Sequence, residues 1–128
     1  MFYYSAKQRF ADGQFLLAGG RTTAAVYLAG YGVECILKVL ILASVRAKDC
    51  RGILASFRGA RAHDFEWLKY LYLDRGAPPF PPDVARPFAL VNSWSTDMRY
   101  LPGTVRRRDA VAFLAAAQQI ITWADGRF

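Results

Sequence analysis

The chain has 128 residues, 54% of them apolar, and a formal net charge of +7. That length suits one domain with a sizeable core, and the apolar fraction excludes a disordered chain. Of its 17 basic residues 13 are arginine, whose planar fork of donors suits phosphate; the charge is compatible with nucleic acid and equally with plain solubility.

The first predicted element is a helix from Phe2 to Leu17, with Tyr3, Phe10, Phe15 and Leu16 set among Lys7, Gln8, Arg9 and Asp12. Gly19-Gly20 ends it, and so short a connection makes the next helix its antiparallel neighbour. The opening MFYYSAKQRFADG has neither a basic-then-apolar order nor a small-residue cleavage site, so a cytoplasmic protein is expected. Arg21-Thr22-Thr23 offers a capping hydroxyl to the element the rest is organised around. That element, Thr23 to Ala43, is apolar over about six helical turns. Its ionisable carboxylate and amine are Glu34 and Lys38, spaced i,i+4. At helical phase they share a stripe roughly 60° wide with Tyr27 and Tyr31. A membrane span needs about 20 apolar residues, but two charges at mid-span are costly, so a buried core helix with one polar seam is expected and no membrane. Gly30-Tyr31-Gly32 lies within this helix with no strand before it, which removes any dinucleotide-binding reading.

Cys35 and Cys50 are read as free thiols, and neither has a second Cys or a His at ligand spacing, so neither a metal nor another cofactor is expected. Ser44 to Ala62 reads as a basic, solvated loop, the alternative being that Ile53, Leu54 and Phe57 form a short docking turn between Gly52 and Gly59. A third helix is predicted from His63 to Leu73, and Arg75-Gly76 closes it before the stiff Pro78–Pro82 connector. Asp83 is expected to cap a fourth helix carrying Val84, Phe88, Leu90 and Val91 towards Trp94. Pro102-Gly103 marks a turn. Asp109 to Trp123 reads as a last helix, preceded by Arg106, Arg107 and Arg108. The expected fold is all-α, an up-and-down bundle of four to five helices in one domain over residues 1–128.

Three strings in this order, AAVYLAGYGVECILKVLI, HDFEWL and WSTDMRYLPG, resemble the HEPN domain family over about residues 5 to 125. The resemblance implies a helical bundle that pairs as a homodimer. It also implies a role in toxin–antitoxin or defence systems, as an RNase or as the partner of a minimal nucleotidyltransferase. The family's RNase motif is an Arg followed four to six residues later by a His. Arg99 matches the Arg; no His follows it at that spacing, and the one histidine of the chain is His63.

Two functions are carried forward. One is a dimeric module that binds RNA, a nucleotide or a protein partner in a cleft of Glu34, Lys38, Tyr31, Asp97, Arg99 and Tyr100. In that setting Tyr100 can serve as a hydroxyl for a nucleotidyltransferase to modify. The other is a metal-independent endoribonuclease, with Arg99 stabilising charge at phosphorus and His63 taking the 2′-OH proton. For His63 the plain alternative is that it and Asp64 cap the third helix. For Glu34 the alternatives are pairing with Lys38 and orienting Arg99. Arg106 to Arg108 are either a phosphate-binding cluster or a solvated charge run. Met98 and Trp94 are read as core or dimer contacts.

Overall fold

The computed structural model describes residues 1–97 and 104–127. Among them lie six α-helices and the 3-10 turn that precedes the fourth: α1 (Phe2–Ala18), α2 (Thr22–Ser44), α3 (Ala47–Ser56), the 3-10 turn Ala60–His63, α4 (Phe65–Asp74), α5 (Pro82–Val91) and α6 (Arg107–Asp125). The bundle is built round α2, which packs against α1, α4 and α6, while α5 closes on α6. α2 is the one described helix long and apolar enough to cross a membrane, and 72% of its most apolar window is buried inside the protein.

Small residues set the α1–α2 distance. A Cβ on Gly13 would sit 2.9 Å from the Ala25 carbonyl oxygen, and one on Gly32 would sit 3.1 Å from that of Ala6. The two backbones therefore approach closely over Ala6, Ala25 and Ala29, all fully buried. The turn between them uses Gly20 at φ +81, which lets the Arg21 amide reach back to Leu16 O at 2.9 Å. Ile36, Leu37, Ile41, Phe65, Leu68, Val91 and Ile120 fill the centre.

Four local expectations are corrected. The basic loop contains α3, an amphipathic helix without buried residues, whose Phe57 packs on the core from just beyond its end. Thr22 and Thr23 do not cap α2; their hydroxyls bind the Val105 carbonyl at 2.6 Å and the Val105 amide at 3.0 Å, joining the starts of α2 and α6. Pro82 begins α5, so Asp83 lies in its first turn rather than capping it. α6 starts two residues before Asp109, taking Arg107 and Arg108 into the helix with Arg106 as its cap residue.

Candidate functional site

The polar seam of α2 finds its partners on three other elements. Lys38 Nζ lies 2.8 Å from Glu34 Oε2, and both side chains are almost wholly buried, at 7% and 5% exposed. The ammonium also sits 5.5 Å from the Phe2 ring and 5.3 Å from the Phe57 ring, which meet edge to face. A buried charge is costly unless compensated, and here carboxylate and two ring faces together supply the compensation.

The second oxygen of Glu34 reaches His63 Nδ1 at 2.8 Å. His63 belongs to the 3-10 turn and does not cap α4. Asp64 alone does that, its carboxylate accepting from the amides of Glu66 at 2.9 Å and Trp67 at 3.5 Å. An ionised carboxylate can only accept, so in the neutral imidazole Nδ1 carries the proton and Nε2 keeps its lone pair. The His63 side chain is 39% exposed, against 5% for the carboxylate that holds it. A buried acid thus orients a solvent-accessible base.

The wall opposite His63 is the segment that follows α5. Trp94 is 5% exposed, stacks on Phe65 at 5.2 Å, and donates its indole N–H to the Tyr27 carbonyl at 3.2 Å. It lies directly over Gly30, where a Cβ would fall 2.0 Å from Nε1. The Tyr31 ring stands nearly perpendicular to both His63, at 6.2 Å, and Trp94, at 5.1 Å. The Tyr27 and Tyr31 hydroxyls lie 3.2 Å apart. Between the turn and this wall is a cavity of about 310 Å3, lined by Ala60, His63, Asp64, Trp94, Ser95, Thr96 and Asp97. The Asp97 amide donates to Ser95 Oγ at 3.1 Å, which holds the wall's bend.

Of the residues expected in the site, Glu34, Lys38, Tyr31, His63 and Asp97 are therefore gathered on one side of α2. Arg99 and Tyr100, which the expected cleft sets against Glu34, lie outside the described residues, as does Met98. Arg106, Arg107 and Arg108 lie elsewhere, at the end of the bundle where α2 and α6 begin. Trp94 is a core contact, one of the two alternatives the sequence left open. The seating of Trp94 on Gly30, and of Phe2 and Phe57 round Lys38, was missed. For Gly30 the available signal was the pair of glycines flanking Tyr31 in a helix with no other glycine, one of which meets α1 and the other Trp94.

Behind the seam, burial pushes the Cys35 thiol from 9.0 up to about 11, with the Glu34 carboxylate adding to the rise and Lys38 and Arg9 opposing it. It is no nucleophile at neutral pH. Among the described residues no group of three or more His, Cys, Asp or Glu side chains is placed to hold a metal ion. In comparisons with known proteins, no family model, no curated protein and no solved structure matches the chain.

Proposed function

We propose that this protein is a HEPN-like, metal-independent endoribonuclease in which His63 is the general base, acting in the cytoplasm as a homodimer within a toxin–antitoxin or defence system. One observation carries the reading: Glu34, buried and neutralised on one oxygen by Lys38, holds His63 Nδ1 with the other, at 2.8 Å in each case. That arrangement sets the tautomer and direction of an imidazole at the edge of a cavity, which is what a general base needs. The all-helical bundle and the order of the three strings quoted above support the family likeness.

The reaction needs only proton transfer and charge stabilisation. His63 Nε2 takes the proton of a ribose 2′-OH, and the oxygen attacks the adjacent phosphorus. The bond to the 5′ oxygen breaks, and that oxygen takes a proton from solvent. The products are a 2′,3′-cyclic phosphate and a 5′-OH end. Arg99, two residues along the chain from the cavity wall at Asp97, is the proposed cation for the charge that grows on the phosphoryl oxygens.

Incubation of the protein with single-stranded RNA in EDTA tests this. Cleavage leaving cyclic phosphate ends is expected. His63→Ala should lower the rate by about 10²- to 10⁴-fold, the usual contribution of a positioned acid or base, and Arg99→Ala should also lower it strongly. Cleavage that survives His63→Ala refutes the assignment. RNA binding with no cleavage by the wild type leaves the non-catalytic binding module as the function.

A further inference from the structure

The starts of α2 and α6 lie side by side, tied by the two threonine–Val105 hydrogen bonds. This brings Arg21 of one helix beside Arg106, Arg107 and Arg108 of the other, all four exposed. None of them makes an ion pair with a described acid. The first turn of α2 carries no acidic residue, and that of α6 carries Asp109 alone. Cations at the positive end of a helix macrodipole are unfavourable, and four guanidinium groups at two such ends repel one another as well. Nothing in the packing requires three of them; Arg107 alone has a fixed role, donating to the Leu17 carbonyl at 3.3 Å.

Beside Arg107 begins an open groove of about 630 Å3 between α1 and α6. Its floor is Phe10, Leu17 and Leu114, and its rim carries the amides of Gln14, Gln118 and Gln119. Gln14 and Gln118 meet across it at 3.4 Å. Apolar floor, amide donors and acceptors, and guanidinium groups at one mouth match the three parts of an unpaired nucleotide: base face, base edge and phosphate. A duplex, with its bases stacked inside, offers only the last.

We propose that this end of the bundle is a binding surface for single-stranded RNA. Arg21, Arg106 and Arg108 hold backbone phosphates, and the α1–α6 groove takes a base. Along α2, at 1.5 Å per residue, the arginine end is about 12 Å from Gly30, which Trp94 of the cavity wall covers, and about 18 Å from Glu34, which holds His63; the groove and the His63 cavity share no lining residue, so the surface is a separate one. The inference rests on RNA being the ligand. It is read by binding alone, so its failure is separable from an absence of cleavage.

The probe is a fluorescein-labelled single-stranded 2′-O-methyl RNA, which has no free 2′-OH to attack phosphorus, titrated by anisotropy across a range of KCl concentrations. The triple variant Arg21→Ala/Arg106→Ala/Arg108→Ala should bind at least about tenfold more weakly and lose about 2 from the slope of log K against log salt, at about 0.7 per phosphate contact on a single strand. The triple variant Lys48→Ala/Arg51→Ala/Arg58→Ala removes the same charge from the α3 region and should keep both affinity and slope. Gln118→Glu, on an exposed face and with helix propensity kept, should weaken binding by placing a carboxylate at the groove. Equal losses in the two triple variants would overturn the proposal, as would preference for a duplex of the same sequence or for anionic lipid vesicles. So would unchanged binding in both the arginine variant and Gln118→Glu.

Discussion

Gly30→Ala tests the architecture of the site without assuming any activity. In an exposed helix this change stabilises by roughly 0.5–1 kcal/mol, because alanine loses less backbone entropy on folding. Gly52 in α3 is such a place, with nothing within 4 Å of a built Cβ, and Gly52→Ala should stabilise by about that amount. At Gly30 the new methyl would lie 2.0–2.2 Å from three atoms of the Trp94 indole. That ring cannot swing aside cheaply, since it is buried, stacked on Phe65 and hydrogen-bonded to Tyr27 O. Overpacking of this kind costs about 1–3 kcal/mol, and loss of the indole hydrogen bond costs about 1 more. After the propensity gain is subtracted, Gly30→Ala should destabilise by about 1–3 kcal/mol. Urea unfolding followed by far-ultraviolet circular dichroism measures both variants. In a Trp94→Ala background the indole is gone, and the same Gly30→Ala change should become neutral or stabilising. A Gly30→Ala protein as stable as Gly52→Ala, or a cost that persists without Trp94, would refute the reasoning.

The ionic seam makes further predictions. Glu34→Ala and Lys38→Met each strand a buried charge and should destabilise by about 3–5 kcal/mol, whereas Glu34→Leu/Lys38→Met together should be close to neutral; additive losses in denaturant unfolding would contradict the pairing. Because the chain has one histidine, its ring nitrogens can be followed by 15N NMR without assignment. Neutral His63 should hold its proton on Nδ1, and Glu34→Ala should release that preference; an Nε2-protonated ring in the wild type would be incompatible with the Glu34 hydrogen bond. Cys35 binds its proton more tightly folded than unfolded, so its contribution to stability is whole below pH 9 and declines as pH rises from 9.0 towards about 11. Cys35→Ala should flatten the fall in stability over that window, and an unchanged profile would remove the thiol as its source.

The chain's periodicities determined much of this molecule. A long apolar segment with its charges on one stripe can be satisfied only as a helix surrounded by others, and the glycine, proline and polar breaks around it mark where the others stop. The i,i+4 spacing of Glu34 and Lys38 offered their pairing as one of two readings, because both residues ride on one helix whose geometry is known in advance, and the fold forms that pair. α3 was missed because it is short, holds a glycine at Gly52, is polar on average and buries no side chain, which gives little signal above a basic loop. What joined His63 to Glu34 was decided by tertiary structure alone. The two residues are 29 positions apart, and their meeting depends on where the α3 segment sets down the 3-10 turn. Likewise no local rule places Trp94 against Gly30, since the empty space a missing Cβ leaves has meaning only once another element arrives to fill it. Local spacing fixes which face a side chain takes; which side chain it faces is settled by the packing of the whole chain.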